Sequence, residues 1–207
     1  MTTKKDHISH WDNIYATKEI ATVSWHQGYP LQSIEMIKRS NLKHDAHIID
    51  VGTGTSRLIP ELIANNFVNI TGLDISENAL KISKMQLGEK SKKINWINSN
   101  ILTAKLPSEV FALWHDRATM HFLTSKEDIS NYKKKIFDSL SPNGYILIMA
   151  FAKNGPDKCS GLTVKKYSIN SLSEEFQNYY LVYGRNHSHF TPVGIEQKFI
   201  TCLFQLR

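Results

Sequence analysis

Short runs of hydrophobic residues alternate along the chain with longer stretches in which hydrophobic residues recur every three or four positions. That alternation is the signature of strands linked through helices into an α/β sheet. Helices are predicted over 6–16 and 30–40. In the second, Ile34, Met36 and Ile37 supply an apolar face and Pro30 suits a first-turn position. A buried strand follows at 47–51, a helix at 56–65 and a second strand at 69–75. The next helix is capped by Ser76, with Glu77 in its first turn. Strands three and four are expected at 94–97 and 110–115. A helix over 125–140 stops at the breaker cluster Ser141-Pro142-Asn143-Gly144, and 145–152 is an apolar fifth strand. After a short helix at 171–177 come two late strands, 179–183 and 197–206. They are antiparallel, because only a short loop containing Thr191-Pro192-Val193-Gly194 joins them. The pattern predicts a doubly wound, mostly parallel sheet of seven strands with a C-terminal antiparallel hairpin.

A length of 207 residues supports one sizeable core, and 41% hydrophobic with 21% charged residues is ordinary soluble composition. No run of about 18 apolar residues occurs, so no membrane-spanning helix is expected. The start, Met1 to His7, is polar and lacks the apolar stretch of a secretory signal, which makes a cytoplasmic protein the expectation. Cys159 and Cys202 form neither a disulfide framework nor a metal-ligand cluster; they read as reduced thiols, and no metal site is expected. A net charge of +6 raises the question of nucleic acid. The lysines are scattered, however: Lys90, Lys92 and Lys93 in one connection, Lys133 to Lys135 on a helix, Lys165 and Lys166 in a late loop. They read as solvated faces, so a nucleic-acid partner is not expected.

The most informative segment is Ile48-Ile49-Asp50-Val51-Gly52-Thr53-Gly54-Thr55-Ser56. It links the first predicted strand to its helix. Glycines there permit a sharp turn and close approach to a ligand. A dinucleotide fingerprint needs a third glycine where Arg57 stands, and a phosphate loop needs a Gly-Lys-Ser/Thr that is missing. Asp74, near the end of the second strand, falls beside the glycine loop at the sheet's carboxyl edge and suits a ribose diol. The plainer alternative is a tight turn followed by a helix-capping aspartate.

These segments resemble class I S-adenosylmethionine-dependent methyltransferases, which have a Rossmann-like fold. Asp50-Val51-Gly52-Thr53-Gly54-Thr55 is similar to their first motif and Leu73-Asp74-Ile75-Ser76 to their second. Trp96-Ile97-Asn98-Ser99-Asn100-Ile101 stands where the family carries an adenine-contacting Gly-Asp-Ala, and Ser141-Pro142-Asn143-Gly144 resembles its proline-glycine turn. The likeness runs in order over about 45–150 and implies S-adenosyl-L-methionine as the cofactor. It implies that Gly52, Thr53 and Gly54 meet the methionine part, with Asp50 orienting the loop. It further implies that Asp74 and Ile75 meet the ribose, that Asn100 and the amide of Ile101 face adenine, and that His115 borders the cofactor. Asn100 replaces the family's aspartate; an amide offers both an acceptor and a donor.

Leu113-Trp114-His115-Asp116-Arg117-Ala118 resembles the Trp-Asp-Arg-Gly segment of thiopurine methyltransferases. It is also similar to the Asp-Lys-Gly segment of small protein-lysine methyltransferases that include the citrate synthase enzyme. Trp11, Tyr15 and Trp25-His26-Gln27 are similar to the aromatics that both groups place before the first strand. His121-Phe122-Leu123, Gly155-Pro156, Cys159-Ser160-Gly161-Leu162 and Thr191-Pro192 resemble a bacterial subgroup of these enzymes. The resemblances make Asp116 and His121 the catalytic candidates and place Trp11, Tyr15, Trp25, Arg117 and Cys159 on the acceptor side. Each has a plainer role: an Asp116–Arg117 loop pair, a satisfied helix-start histidine, core-closing aromatics and an inert thiol. The expected organisation is one domain over 1–207: a helical cap at 1–44, a cofactor core at 45–152, and an acceptor-side loop with closing hairpin at 153–207. The expected activity is methyl transfer to a small nucleophile, a thiol or another soft atom. Protein-lysine methylation is the alternative, and a non-catalytic cofactor-binding protein is a third. The acceptor and the oligomeric state are left open.

Overall fold

The structure, a computed structural model, describes residues 4–206. Met1 to Thr3, the beginning of the polar N-terminal segment, and Arg207 lie outside the described residues. In chain order the elements are α1 (Lys4–Thr17), α2 (Leu31–Arg39), β1 (His47–Val51), α3 (Leu58–Ala64), β2 (Asn69–Asp74) and α4 (Glu77–Leu87). Then come β3 (Asn95–Asn98), β4 (Phe111–Arg117), α5 (Lys126–Ser139), β5 (Leu140–Phe151), β6 (Lys158–Cys159) and β7 (Leu162–Thr163). α6 (Ile169–Glu175), β8 (Tyr179–Phe190) and β9 (Glu196–Leu206) complete the described chain.

Seven strands form one sheet in the order β3-β2-β1-β4-β5-β9-β8. β1 to β5 are parallel, and β9 and β8 close the sheet antiparallel. This is the doubly wound sheet with a C-terminal hairpin that the hydrophobic pattern predicts. The strand order reverses between β1 and β4, and there the helices leave the sheet on opposite faces and open a crevice at its carboxyl edge. Side chains alternate across the sheet. Ile48, Leu113 and Leu147 pack with Ile34, Ile37, Leu58 and Leu62 from α2 and α3. Ile49, Val51, Trp114, Ile146 and Ile148 pack on the other side with Ile129, Tyr132 and Ile136 of α5.

Several boundaries differ from the sequence reading, each for a local reason. Pro30 precedes α2 instead of opening it, and its carbonyl accepts the Ile34 amide. α3 starts at Leu58, because the Ser56 hydroxyl turns back to Asp50 Oδ2 and accepts the Leu58 amide. β5 begins at Leu140 directly after α5; Asn143, with φ 60°, and a register shift against β4 absorb the predicted breaker cluster within the strand. α6 begins at Ile169, fixed by a reciprocal capping box between Ser168 and Ser171. β8 runs seven residues beyond the predicted end at 183. As an edge strand over β9 it needs no apolar alternation, and Gly184-Arg185-Asn186-His187-Ser188 shows none.

Ser76 caps α4 as predicted, accepting the Ala79 amide, and a carboxylate from α1 joins it. Asp12 of α1 accepts from the Ser76 hydroxyl at 2.7 Å and from the Asn78 amide at 3.0 Å. The negative side chain sits at the positive end of α4 and fastens α1 over the crevice.

Candidate active site

The floor of the crevice is the turn after β1. Gly52 and Gly54 have φ of 66° and 49°, in the left-handed region. A β-carbon on Gly52 would overlap the Thr119 hydroxyl, and one on Gly54 would overlap the Tyr15 hydroxyl. Packing and conformation therefore both demand glycine here. The loop is tied to its neighbours by the Thr53 amide on the Leu73 carbonyl at 3.0 Å and by the Ser83 hydroxyl on the Gly54 carbonyl at 2.6 Å.

Asp74, at the end of β2, accepts the Gly54 amide through Oδ2 at 2.7 Å and the Ser76 amide through Oδ1 at 2.8 Å. One carboxylate thereby joins the glycine loop to the start of α4. Each oxygen keeps a lone pair for a ligand. Burial raises the Asp74 pKa to about 6, against the Ser76, Gly54 and Ile75 amides that pull it down, and the charge of Asp50 adds to the rise.

Asp50 anchors the other side of the loop. Its Oδ2 accepts the Thr53 hydroxyl at 2.7 Å, and its Oδ1 lies 2.7 Å from His115 Nδ1. His115 Nε2 lies 2.9 Å from Ser33 Oγ on α2. All three residues are buried. Each ring nitrogen of His115 thus has one polar partner, Asp50 on one side and Ser33 on the other. A continuous chain of polar contacts thus runs from α2 through β4 into the glycine loop.

At the far end of the crevice Ile75, Ser99, Asn100, Ile101 and Leu102 form the wall. Asn100 Oδ1 accepts the Leu102 amide at 2.9 Å, which leaves the side-chain N–H donors of Asn100 for a ligand. At the near end Trp11 packs edge to face on Trp25 and Phe122, with ring centroids 5.7 and 5.1 Å apart. Tyr15 meets Trp25 in the same way at 6.1 Å. Arg117 donates from Nη1 to the Trp25 carbonyl at 3.0 Å. Cys159 completes this wall on the small β6–β7 hairpin, and burial raises its thiol pKa.

Fourteen of the sixteen residues singled out from the sequence therefore line one crevice: Asp50, Gly52, Thr53, Gly54, Asp74, Ile75, Asn100, Ile101 and His115, with Trp11, Tyr15, Trp25, Arg117 and Cys159. Asp116 and His121 do not. β4 extends to Arg117, so alternation sends His115 and Arg117 toward the crevice and Asp116 to the opposite face with Trp114. Asp116 is fully buried and accepts the Thr119 and Met120 amides and the Tyr132 hydroxyl. It does not pair with Arg117 either. Ala118, where the resembled segments carry glycine, takes φ 69° and carries Thr119 over Gly52.

His121 is fully buried, and neither ring nitrogen has a partner. It stacks on Phe151 at 4.7 Å and meets Phe122 edge-on. Burial, with the charge of Arg117, lowers its pKa to about 3, so it is a neutral core ring instead of a proton acceptor in the crevice. Its stabilising contribution is complete above the unfolded value of about 6.5 and is lost as pH falls toward 3. His121→Phe should therefore gain about 2 kcal/mol relative to the parent between pH 7 and pH 4.5, with ligand binding retained. Urea unfolding at both pH values checks this; a stability difference that does not change with pH would refute the buried neutral assignment.

Sequence reasoning missed Ser33, Thr119, Phe122 and Tyr132. Ser33 left a trace, a polar residue three and four positions before Met36 and Ile37 on the apolar face of α2. Among the described residues no His/Cys/Asp/Glu group could hold a metal ion, and no helix is long and apolar enough to cross a membrane.

The model of a methyltransferase domain matches residues 48–144, which run from β1 through the glycine loop, Asp74 and β4 into β5. The EEF1A lysine methyltransferase 2 of Danio rerio is 31% identical over 121 residues, 56% of this chain and 52% of that one. A ubiquinone biosynthesis O-methyltransferase of Nitrosospira multiformis is 23% identical over 158 residues, 72% and 64% of the two chains. The chain thus spans about half the length of the first of these relatives and under two thirds of the second. Among solved structures, the 1,6-didemethyltoxoflavin-N1-methyltransferase of Burkholderia thailandensis, with bound 1,6-didemethyltoxoflavin and S-adenosylhomocysteine, superposes with a TM-score of 0.66. That match is 14% identical and covers 100% of this chain and 91% of the other; it establishes a shared fold.

Proposed function

We propose that the chain, whose residues 48–144 match the model of a methyltransferase domain, is an S-adenosylmethionine-dependent methyltransferase acting on a small nucleophile, a thiol or another soft atom. The observation that carries the small acceptor is the aromatic cover: Trp11, Tyr15, Trp25 and Phe122 wall the near end of the crevice.

The crevice fits S-adenosylmethionine. Gly52 and Gly54 line the crevice with backbone alone, and the buried Asp74 carboxylate retains lone pairs for the ribose hydroxyls. Asn100 and the Ile101 backbone flank the adenine end, where the free Asn100 N–H donors suit a ring nitrogen. When bound, the cofactor supplies an activated methyl group on a sulfonium sulfur. Asp50, through Thr53 and His115, holds the loop and α2 in fixed relation, so cofactor and acceptor meet in a constant geometry. Neither Asp116 nor His121 faces the crevice, so the chemistry draws on proximity and on an acceptor that is already nucleophilic; a thiol, with a pKa near 8.5, is one. In this reading 1–44 is the cap, 45–152 the cofactor core and 153–207 the acceptor-side loop and closing hairpin. The unpaired thiols Cys159 and Cys202 support a reducing, cytoplasmic setting.

A second reading, methylation of a protein lysine, rests on the 31% identity to the Danio rerio enzyme. One experiment separates them: transfer of labelled methyl groups into a lysate split into small-molecule and macromolecular fractions. Label in the small-molecule fraction is the expected outcome, and label confined to protein would favour the second reading. Calorimetry should show S-adenosylmethionine binding in the micromolar range and no binding of NAD, because Arg57 stands where a dinucleotide loop needs glycine. Tight NAD binding with S-adenosylmethionine ignored would sink both.

A further inference from the structure

The near end of the crevice contains a cation with no counter-charge. Arg117 Nη1 is satisfied by the Trp25 carbonyl, whereas Nη2 is buried and has no acceptor. No carboxylate among the described residues forms an ion pair with this guanidinium. Asp50 is the carboxylate whose charge acts on it, and its oxygens already serve His115, Thr53 and Ser56. Tyr15 and Cys159 also border Arg117, and burial keeps both neutral. Arg117 itself stays charged near neutral pH, since burial lowers its pKa only to about 10. Of the other acids on the crevice wall, Asp74 accepts the Gly54 and Ser76 amides, and the half-buried Asp128 accepts the Ser125 hydroxyl. A buried charge is costly unless paired, and an unpaired buried donor calls for a partner that the protein does not supply.

The surroundings narrow what that partner is. Trp25, whose carbonyl Arg117 holds, packs against Trp11 and Tyr15, and the Phe199 ring lies 5.7 Å from the guanidinium carbon. Flat apolar walls of this kind can host an ammonium through cation–π attraction. With a guanidinium in the same wall they repel one. A carboxylate instead gains the two N–H donors of Nη2 while the planar ring that bears it packs on the aromatic walls, and arginine is the side chain best suited to hold a carboxylate.

Resting on the methyltransferase reading, we propose that Arg117 binds a carboxylate of the methyl acceptor, and that the acceptor is a small planar organic acid and not an amine. Arg117 acts as a specificity-determining residue: it holds the acid group, and the acceptor's nucleophilic atom is directed along the crevice toward the glycine loop.

The test uses the full chain saturated with S-adenosylhomocysteine, with 2-mercaptobenzoate, its uncharged methyl ester and n-butylamine as probes in calorimetry. The acid should bind at least about tenfold more tightly than the ester, the effect of one charged hydrogen bond. In Arg117→Met that preference should vanish while S-adenosylhomocysteine still binds, and Arg117→Lys should keep part of it. Equal affinity for acid and ester in the parent protein, or a preference that survives in Arg117→Met, overturns the assignment. Binding of n-butylamine in place of the acid also overturns it. Should Arg117→Met not fold, the parent's acid-to-ester ratio together with Arg117→Lys decides. Failure of the parent to bind S-adenosylhomocysteine would instead bring down the methyltransferase reading itself, so the two failures are distinguishable.

Discussion

Asp74→Ala should lose about a hundredfold or more in affinity for S-adenosylmethionine. The carboxylate is placed to accept two ribose hydroxyls, and charge-assisted hydrogen bonds are worth about 1.5–3 kcal/mol each. Two of them at the lower bound make about 3 kcal/mol, and each 1.4 kcal/mol is a tenfold change. The same substitution strands the Gly54 amide, so the loop loosens as well as losing its ligand group. The pH dependence follows from burial, which raises the Asp74 pKa to about 6. Protons and ribose hydroxyls compete for the same oxygens. Affinity in the parent should be level above about pH 6 and weaken below it, by up to about tenfold per unit. Asp74→Asn should bind more weakly at neutral pH but lack this slope. Calorimetric titrations from pH 5 to pH 8 read both effects. An unchanged dissociation constant in a folded Asp74→Ala would remove Asp74 from the site.

The parts of this site that the sequence reveals are those whose chemistry is local. A turn that only glycine can make and a carboxylate at the end of the next strand both stand out from a few adjacent residues. The sheet itself was legible because parallel strands buried on both faces read as short apolar runs. What the sequence hides is parity and distance. Ending β4 at His115 leaves Asp116 and Arg117 in a loop, where either can face the ligand. In the structure β4 continues to Arg117, and strict alternation sends these neighbours to opposite sides of the sheet. The two-residue boundary difference therefore changes the role of Asp116. Ser33 and His115 are 82 residues apart, and Trp25 and Arg117 are 92 apart. Neither pairing has a local signal. β8 hides for another reason: an edge strand half open to solvent carries polar residues that read as loop.

The reassignment of Asp116 predicts a result that a catalytic base would not give. Its carboxylate holds the Thr119 amide at 2.8 Å, the Met120 amide at 2.9 Å and the Tyr132 hydroxyl, while Trp114 Nε1 donates to Tyr132 at 2.9 Å. It therefore fastens the turn after β4, and with it Thr119 over Gly52, to α5 beneath the sheet. Asp116→Ala strands three buried donors, each costing about 1–3 kcal/mol. The expected loss is at least about 3 kcal/mol, or roughly 10 °C in melting temperature at the 2–4 °C per kcal/mol typical of a chain this size. Asp116→Asn is milder at neutral pH, because it keeps an acceptor for the turn amides and removes a buried charge. The sign of its pH dependence is fixed. Burial raises the folded pKa of Asp116 to about 6 from an ordinary 3.8, so the parent gains stability as pH falls between those values. The asparagine variant cannot, and its deficit should widen by about 1 kcal/mol between pH 7 and pH 5. Cofactor affinity and, with an accepted substrate, kcat in the folded variant should stay within a few-fold of the parent. A general base would instead show normal stability and a rate loss of about 10²–10⁴. That second pattern, measured by urea unfolding and turnover on the same preparation, would return Asp116 to the chemistry.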